Sequence, residues 1–379
     1  MKKILHISET FEGGGAEAVF RDTLRVSEKL GFSNDYFVSD GKISIFSYVY
    51  SFHMYFRLKE KLISYMPDVI HIHNYYHFLT PSILKAIAEY KVNKKCKVIF
   101  TAHDYHLICP NSGLQYFKGN KRFNFDHYKN NIRFYRKFDH RSWGHSILKL
   151  LQFTVSYRIL KLQNIIDLII SPSNFLRETF INYGIEKEII VVRNPAIFNE
   201  IKKSEGVNEN NAINIVFIGR LSPEKGVLEF INNLNNNCTL GINFHIYGKG
   251  PLANEIESIK GKVRSGLQII NHGFIDSSNI LDAISQYDIF VLPSVWYENA
   301  PLSIIEAAIA GLPVLIPNTG GLLEMAKLTK HYYPFGDSEM NFDVIIKNAY
   351  LSKGKNEVLN QCIFSEEKYT KEIYDIYTG

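Results

Sequence analysis

The chain has 379 residues, of which 46% are hydrophobic and 21% charged, and its formal net charge is +5. This length suits two domains of about 150 to 200 residues better than one core, and the composition excludes a disordered or fibrous chain. The apolar runs, such as residues 165–170, fall far short of the roughly 20 residues that cross a bilayer. Few apolar residues precede Glu9, too few for a signal peptide. We therefore expect a cytoplasmic, globular protein.

Apolar runs that end in polar residues alternate with helical periodicity along the first half of the chain. The predicted strands are residues 2–8, 68–74, 98–104, 168–173 and 189–194, and the predicted helices include 16–30 and 80–89. Strands that alternate with helices form a parallel sheet. Residues 1–195 are therefore predicted to be a doubly wound, Rossmann-like domain.

A second series of the same kind follows residues 199–213, a polar stretch that we interpret as a linker. Its predicted strands are 213–219, 244–248, 268–273, 288–292 and 314–316, and its helices include 227–233, 252–260 and 302–310. Residues 196–361 thus form a second Rossmann-like domain, and we expect the two domains to face a cleft. Ligands in such sheets bind at the carboxyl ends of the strands. The last segment, 362–379, contains a helix at 366–377 with tyrosines on one face, and this helix is predicted to pack back on the first domain.

Two glutamates, Glu298 and Glu306, follow the predicted strand 288–292 and are separated by seven residues. Pro301 suits a first helical turn and Gly311 a helix end, so Glu298 lies in a loop and Glu306 on a helix. The backbone N–H groups at that helix start can bind an anion. A surface helix is the alternative, but Glu306 interrupts an apolar run, where a carboxylate without a partner is costly.

Two cations, Arg220 and Lys225, lie in the sequence Gly-Arg-Leu-Ser-Pro-Glu-Lys-Gly after the first strand of the second half. Such cations suit a diphosphate, and they stabilise the charge that grows on a departing nucleoside diphosphate. The alternative is an ordinary turn with a surface salt bridge between Glu224 and Lys225. The sequence has no Asp-x-Asp pair and no His/Cys cluster with metal-ligand spacing, so we expect no metal and no cofactor.

The paired glutamates, the Gly-Arg-Leu-x-x-x-Lys-Gly loop and the domain order resemble the family 4 retaining glycosyltransferases (glycosyl transferases group 1) of GT-B fold. The resemblance covers nearly the whole chain and implies that residues 1–195 are the acceptor-side domain and residues 196–361 the nucleotide-sugar-binding domain. It implies that Glu298 faces the donor sugar, that Glu306 binds the ribose, and that Arg220 and Lys225 bind the diphosphate.

The resemblance extends to the first domain. Gly13, Gly14 and Gly15 match a glycine-rich turn near the phosphates, although a merely structural turn fits this sequence equally well. His103, in Thr-Ala-His-Asp-Tyr, matches a histidine beside the donor sugar, and a structural role is its alternative. His71 and His73 share one face of a strand, and we favour packing or acceptor contacts for them over catalysis.

The resemblance implies that two further strand-end loops, 248–251 and 272–275, line the nucleotide pocket. It also implies that the backbone near Phe274 recognises the base. The donor-binding residues predicted in this way are Gly14, Gly15, Arg220, Lys225, Gly248, Lys249, Phe274, Asn299, Ala300, Pro301, Leu302 and Glu306. The predicted catalytic residues are Glu298, His103, Arg220 and Lys225.

The resemblance also implies a mechanism. No residue is an obvious covalent nucleophile, so we expect the leaving phosphate to take the acceptor proton while the anomeric configuration is retained. The expected reaction moves a hexose-type sugar from a nucleotide diphosphate sugar to a glycan acceptor, lipid-linked in many relatives, in the synthesis of bacterial surface polysaccharides such as O-antigen or capsule.

Residues 115–161 are rich in basic and aromatic types and poor in acidic ones. Such a stretch can lie on an anionic membrane, which would bring the enzyme to the inner face of the plasma membrane; a solvated helical face is the alternative. The basic residues are Lys118, Lys121, Arg122, Lys129, Arg133, Arg136, Lys137, Arg141, Lys149, Arg158 and Lys161.

Other functions fit the sequence less well. A sugar-nucleotide epimerase or a phosphorylase of the same architecture is the main alternative, and the glutamate pair with its cationic loop favours transfer over both. A dehydrogenase lacks its complete dinucleotide fingerprint. A nucleic-acid binder would use residues 115–161, but we expect no nucleic-acid partner.

Overall fold

The computed structural model describes residues 1–41, 44, 47–119, 121–196, 212–276, 279–336 and 341–379. The chain folds into two compact units, one of Met1–Asn194 with Glu366–Gly379 and the other of Pro195–Ser365. Most of the predicted linker 199–213 lies outside the described residues. No helix in the described parts of the chain is long and apolar enough to cross a membrane.

A six-stranded parallel sheet forms the centre of the first unit, with the strand order β2-β1-β3-β4-β7-β8. Its strands are β1 (Lys3–Ser8), β2 (Ser33–Val38), β3 (Val69–Ile72), β4 (Lys97–Thr101), β7 (Leu168–Ser171) and β8 (Glu188–Val191), and an antiparallel hairpin of β5 (Gln115–Lys118) and β6 (Lys121–Asn124) lies between β4 and β7 in the chain. Its helices are α1 (Gly15–Lys29), α2 (Phe52–Tyr65), α3 (Ser82–Asn93), α4 (Trp143–Phe153), α5 (Asn174–Asn182) and α12 (Glu366–Thr378). Because the strands are parallel, the polar residues that follow them collect at one edge of the sheet.

The second unit contains another six-stranded parallel sheet, with the order β11-β10-β9-β12-β13-β14. Its strands are β9 (Ile213–Ile218), β10 (Ile242–Tyr247), β11 (Leu267–Gly273), β12 (Ile289–Val291), β13 (Val314–Pro317) and β14 (Tyr332–Phe335), and its helices are α6 (Val227–Asn237), α7 (Ala253–Ile259), α8 (Ile280–Ile284), α9 (Leu302–Ile309), α10 (Gly320–Ala326) and α11 (Phe342–Tyr350). Counted within the unit, this is the order 3-2-1-4-5-6 of a Rossmann fold. The prediction of two doubly wound α/β domains is confirmed.

The sequence analysis identified the buried strands and missed strands at the edges of both sheets. β2 has one buried residue out of six, and β14 contains Pro334 and also has a single buried residue. Neither segment has the continuous apolar run that marks a strand buried on both faces. The pattern therefore did not separate these two edge strands from loops, whereas the opposite edge strands, β8 and β11, were predicted.

The C-terminal helix α12 belongs to the first unit and packs on its sheet. Its buried residues, Tyr369, Ile373, Ile376 and Tyr377, join a core that includes strands β1, β3 and β4. Lys2 and Lys97 donate hydrogen bonds to its last carbonyl groups, at 2.9 Å to Tyr377 and 2.8 Å to Ile376, where cations suit the helix dipole.

The tyrosines of α12 do not share one face, so that part of the prediction was wrong. Tyr374 is 46% exposed, whereas Tyr369 and Tyr377 are buried. Five positions separate Tyr369 from Tyr374, which rotates the second side chain by about 140° in a helix with 3.6 residues per turn, away from the buried face.

A seam of buried imidazoles lies where α12 meets the sheet. His6 on β1 is in register with His71 on β3, and His71 is hydrogen-bonded to Tyr377 (2.6 Å) and Thr101 (2.7 Å). Burial lowers the pKa of His6 to about 4, and burial lowers the pKa values of His71 and His73 well below 6.5. The seam is therefore neutral at pH 7.

The neutral seam makes a prediction about acid stability. Because the folded pKa of His6 lies below its unfolded value, its contribution to stability is present above pH 6.5 and is lost as the pH falls toward 4. Replacing His6 by Gln should reduce the loss of unfolding free energy between pH 7 and pH 4 by about 3 kcal/mol, measured by urea denaturation.

Glu9 and Asp104 have raised pKa values, so their protonation stabilises the fold as the pH falls. Both residues are present in the wild-type protein and in the variant, so they do not affect the difference between the two. The control is His53→Gln, at a side chain that is 65% exposed; equal acid sensitivity in both variants would contradict the prediction.

Candidate active site

The sheet of the second unit has its topological switch point between β9 and β12. From β9 the chain adds β10 and β11 on one side, and it then returns to add β12, β13 and β14 on the other. Doubly wound sheets bind ligands at the carboxyl ends of the strands beside such a switch point, so the loops that follow β9 and β12 form the candidate site. Arg220 and Lys225 lie in the first loop and Glu298 in the second.

The two loops meet in a buried ion pair. Lys225 Nζ lies 2.6 Å from Glu298 Oε1, and the hydroxyl of Ser294 donates to the same oxygen at 2.6 Å. Burial alone would raise the pKa of Glu298, but the charge and the hydrogen bond of Lys225, with that of Ser294, lower it below its usual value. Glu298 is therefore an anion at neutral pH, and the pair is not the surface salt bridge of an ordinary turn.

Two glycines allow the backbone to approach closely around this pair. A Cβ on Gly226, which has φ +67°, would lie 2.0 Å from the carbonyl oxygen of Pro293. A Cβ on Gly321 would lie 2.2 Å from the carbonyl oxygen of Glu298, which accepts a hydrogen bond from the Gly321 N–H at 3.1 Å. Side chains at either position would push the loops of Lys225 and Glu298 apart.

Arg220 differs from Lys225 in having no protein partner within the described part of the chain. Its side chain is exposed at the carboxyl end of β9, and it makes no hydrogen bond or ion pair to any described residue. A guanidinium in this position is available to a ligand anion.

The loops after β10 and β11 lie beside the loop after β9. The N–H of Leu221 donates to the carbonyl oxygen of Lys249 at 3.0 Å, and a Cβ on Gly248 would lie 1.9 Å from the carbonyl oxygen of Gly219. The Lys249 ammonium lies 4.3 Å from the ring centroid of Phe274, whose side chain is 60% exposed. Arg220, Lys225, Gly248, Lys249 and Phe274 thus share one edge of the second unit.

Glu306 lies on α9, which begins at Leu302 directly after Asn299, Ala300 and Pro301. Its carboxyl group is partly buried, and burial raises its pKa to about 7. The sequence analysis argued that a carboxylate at this position needs a partner. No described residue forms a hydrogen bond or an ion pair with the Glu306 side chain.

In the first unit, Gly14 and Gly15 begin α1. The N–H of Gly14 donates to Glu17 Oε2 at 2.8 Å, which closes the turn with the helix's own carboxylate. His103 follows β4, and its Nε2 lies 3.2 Å from His73 Nδ1. Burial lowers the pKa of His103 to about 4, so this ring is neutral.

Two further carboxyl groups of the first unit lie at strand ends; the sequence analysis did not single out Glu9 and considered Asp104 only as the neighbour of His103. Glu9 follows β1, and its Oε1 accepts hydrogen bonds from the N–H groups of His77 and Phe78. Asp104 follows β4 and accepts hydrogen bonds from the Tyr76 hydroxyl and from the His106 N–H. Burial raises the pKa of Glu9 to about 7 and that of Asp104 to about 6. Their place directly after apolar strands was the pattern that could have identified them.

Three of the buried imidazoles lie close enough together to hold a metal ion. Within the described ranges, His6, His71 and His73 are the one group of three such side chains whose ligand atoms lie within 4.8 Å of one another. Both ring nitrogens of His71 are already hydrogen-bonded to Tyr377 and Thr101. Core hydrogen bonding therefore accounts for His71 without an ion.

Comparison with protein families gives two matches that together span most of the chain. Residues 14–197 match the model of glycosyltransferase family 4, and residues 198–373 match the model of glycosyl transferases group 1. The boundary between the two matches falls near the boundary between the two folded units.

Individual relatives are distant. An uncharacterized 42.6 kDa protein in the cps region of Klebsiella pneumoniae is 25% identical over 334 residues, which cover 87% of this chain and 77% of that protein. The Escherichia coli UDP-Gal:alpha-D-GlcNAc-diphosphoundecaprenol alpha-1,3-galactosyltransferase is 34% identical over 126 residues, 32% of this chain and 31% of that enzyme. Among solved structures, the Anabaena protein HepE in complex with UDP-glucose has a TM-score of 0.63 over all of both chains at 16% identity.

The ion pair of the second unit makes a prediction about stability. Replacing Lys225 by Met leaves the buried Glu298 carboxylate without its cation, so the free energy of unfolding at pH 7 should fall by about 3 kcal/mol. The double variant Lys225→Met with Glu298→Gln should lose less than the sum of the single changes. Urea denaturation measures both.

The matched control is Lys330→Met. Lys330 pairs with Glu357 at 2.7 Å, but both side chains are at least half exposed, so its loss should be below about 1 kcal/mol. Equal losses for Lys225→Met and Lys330→Met would show that the buried pair is not important for stability.

Proposed function

Since the chain belongs to the glycosyltransferases of group 1 and family 4 and has their GT-B fold, we propose that it transfers a hexose-type sugar from a nucleoside diphosphate sugar to a glycan acceptor with retention of configuration. The observation that carries the proposal is the pair of cations at the strand ends of the second unit, where Arg220 has no partner among the described residues and Lys225 is fixed by Glu298. An epimerase or a phosphorylase is the alternative.

The diphosphate is proposed to bind at Arg220 and Lys225. Its negative charge increases as the bond to the sugar breaks, so two fixed cations stabilise the transition state more than the bound donor. The start of α9 offers backbone N–H groups to the same anion. These groups supply the positive charge that the departing diphosphate needs, and the proposal includes no metal and no cofactor.

Glu298 is proposed to position the donor sugar. Lys225 keeps this carboxylate ionised, so it can accept hydrogen bonds from sugar hydroxyl groups. The leaving phosphate takes the proton of the acceptor hydroxyl, which attacks on the face from which the diphosphate departs. For His103, a neutral ring, we propose a hydrogen-bonding rather than a charge-balancing role, and Gly14 and Gly15 are proposed to lie near the phosphates.

Glu306 is proposed to bind the ribose of the donor. Its partly buried carboxyl group has no hydrogen-bond partner in the described part of the chain, and burial raises its pKa to about 7. Two vicinal ribose hydroxyl groups would supply the missing partners. Loops 248–251 and 272–275, with Phe274, are proposed to hold the base.

UDP is the first donor nucleotide to test. HepE is described in complex with UDP-glucose, and the Escherichia coli relative is named for UDP-Gal. The same name specifies a diphosphoundecaprenol-linked sugar, and another relative is encoded in a cps region. We therefore propose a lipid-linked acceptor in surface polysaccharide (lipopolysaccharide or capsule) synthesis, at the inner face of the plasma membrane.

A thermal-shift screen tests the donor site. We expect one family among UDP, GDP, ADP and dTDP sugars to raise the melting temperature without added metal, because a ligand stabilises the fold that binds it. Glu306→Ala should abolish the shift, and Glu229→Ala, at an exposed glutamate of α6, should preserve it. NMR of the product should show a retained anomeric configuration. No shift with any donor would contradict the proposed donor site, and an inverted product would contradict the mechanism.

The surface of residues 115–161 supports a membrane contact. On α4, Trp143, Ile147 and Leu151 are spaced four residues apart and are 58%, 53% and 47% exposed. They form one apolar stripe on the helix surface. The segment holds two acidic residues, Asp126 and Asp139, and Arg141 and Lys149 bind the second. An exposed apolar stripe among basic residues is the pattern of an interfacial helix.

A second exposed apolar stripe lies on α2. Phe52 and Phe56 begin α2 and are 68% and 56% exposed. Gln152, near the end of α4, donates hydrogen bonds to the carbonyl oxygens of Tyr48 (2.6 Å) and Tyr76 (2.9 Å), so the end of α4 lies beside the segment that leads into α2. We propose that this surface rests on anionic lipid, where basic residues contribute about 1 kcal/mol each.

Vesicle flotation tests the lipid contact. We expect the protein to float with vesicles that contain anionic lipid, to float less at high salt, and to stay in solution with neutral phosphatidylcholine. Trp143→Ser with Ile147→Ser should weaken flotation by removing apolar anchors. The control is Val344→Ser with Leu359→Ser, two residues of the second unit that are 50% and 61% exposed. Equal flotation of the two double variants would contradict the proposal, as would salt-dependent binding to RNA or DNA alone.

A further inference from the structure

A pocket lies between the β5–β6 hairpin and the start of α4, in the first unit. Its volume is about 340 Å³, within the range of about 300 to 1,000 Å³ that small-ligand sites occupy. One glycine, three cations and three aromatic residues line it, and no acidic residue does; the cations are Lys118, Arg136 and Lys137, and the aromatic residues are Phe117, Tyr135 and Trp143. The proposed donor site lies in the other unit and uses none of these residues.

Backbone pairing fixes the walls of the pocket. Phe117 in β5 forms an antiparallel bridge with Lys137, and its N–H donates to the carbonyl oxygen of Lys137 at 2.8 Å. The Phe138 N–H donates to the hydroxyl of Ser146, in the first turn of α4, at 2.7 Å. The segment that carries the pocket's cations is thereby joined to the hairpin and to α4, so the three parts of the pocket keep their relative positions.

The lysines of the pocket have no carboxylate partner among the described residues. Lys118 makes no hydrogen bond or ion pair to any of them, and Lys137 donates to the carbonyl oxygen of His140 at 3.1 Å. Asp139, two positions after Lys137, is bound by two cations from outside the pocket. The pocket therefore holds positive charge that the described chain does not balance, and an anionic ligand would balance it.

Aromatic rings hold the third cation of the pocket in place. The Arg136 guanidinium lies over the rings of Tyr116 and Tyr135, at 4.7 Å and 5.1 Å from their centroids. A planar guanidinium that is already oriented loses less freedom for each hydrogen bond that it forms, and its N–H groups match the oxygens of a phosphate. Arg136 is therefore suited to bind a phosphate group.

Trp143 connects the pocket with the apolar stripe of α4. This residue lines the pocket, and it also begins the exposed stripe that continues with Ile147 and Leu151. Tryptophan side chains are enriched at the head-group level of a bilayer, where an apolar ring with a polar N–H is most favourable. With the stripe in the bilayer, the pocket lies at the level of the lipid phosphates.

The surroundings of the pocket favour a lipid phosphate over a soluble one. A soluble phosphate would use the cations and would leave Trp143 and Tyr135, which are 58% and 68% exposed, in water. A phospholipid brings its phosphate to the cations and its acyl chains to the adjoining stripe, which removes this apolar surface from water.

We propose that this pocket binds the phosphate of one anionic phospholipid head group, with Lys118, Arg136 and Lys137 as its ligands. The bound head group fixes the place at which the first unit contacts the membrane, whereas diffuse attraction by basic residues does not. This inference rests on the membrane contact proposed above and specifies the lipid group that the contact recognises.

Two double variants that remove the same charge separate the pocket from diffuse attraction. The pocket variant, Lys118→Gln with Arg136→Gln, removes two of its cations. The control variant, Lys129→Gln with Arg133→Gln, removes two exposed cations of the same segment that do not line the pocket. None of the four side chains has a hydrogen bond or an ion pair to a described residue, so both variants should fold and melt close to the wild-type temperature.

The first probe is monomeric dihexanoyl phosphatidylglycerol below its micelle concentration, which presents a head group without a membrane surface. The chain has two tryptophans, so Trp296→Phe leaves Trp143 as the fluorescent reporter of the pocket. In that background we expect saturable binding that the pocket variant weakens about tenfold or more and the control variant less than about twofold. Dihexanoyl phosphatidylcholine and glycerol phosphate should bind more weakly than the anionic lipid.

The second probe is a series of vesicles of phosphatidylcholine with increasing phosphatidylglycerol. Each variant lacks two basic residues, so the diffuse attraction should fall by a similar amount in both. The pocket variant should nevertheless bind the vesicles about tenfold more weakly than the control variant, because it also loses the direct contacts with a phosphate.

The outcomes separate this inference from the function on which it rests. Equal weakening of the two variants with either probe would overturn the pocket and leave a diffuse membrane contact in place. Binding of glycerol phosphate as tightly as the lipid would assign the pocket to a soluble phosphate and would also overturn the inference. Failure of the wild-type protein to bind any anionic vesicle would overturn the membrane contact and the pocket together. Glycosyl transfer is tested separately, by the donor screen.

Discussion

The buried contact between Lys225 and Glu298 organises the candidate active site of the second unit. Each group alone would be a charge removed from water, and burial of an unpaired charge is strongly unfavourable. Glu298 remains ionised, because Lys225 lowers its pKa against the effect of burial. The pair joins the loops after β9 and β12 at the point where the sheet opens. The fixed charges, the close glycine contacts and the start of α9 all depend on this junction.

The ionisable groups at the carboxyl ends of the two sheets differ in their surroundings. In the second unit Lys225 and Glu298 are paired, and Arg220 remains exposed beside them. At His103 and Glu9 of the first unit no opposite charge among the described residues offsets burial, so burial lowers the pKa of His103 and raises that of Glu9. The same fold, built twice, therefore places different groups at its strand ends.

Groups without partners are informative in this protein because most buried polar groups are satisfied. Among the described residues, Ser8 Oγ and His73 Nε2 have no hydrogen-bond partner and lie at strand ends, and the carboxyl group of Glu306, which also has none, lies within α9. His71, by contrast, lies within the seam and has both ring nitrogens bonded. Unsatisfied groups are not confined to the strand ends, because His6 Nδ1 in the seam also has no partner among the described residues.

The sequence by itself determined the fold class and the strand ends at which Arg220, Lys225, Glu298 and His103 lie. It could do so because an apolar run followed by polar residues is a local pattern. It did not reveal edge strands such as β2, which have no such run. Only the tertiary structure decided that Lys225 meets Glu298, 73 residues later in the chain, that Glu9 holds the loop of Phe78, and that Tyr377 bonds to His71 across 306 positions. These contacts follow from the order of the strands within each sheet, and that order is set by packing between distant segments, which no local pattern specifies.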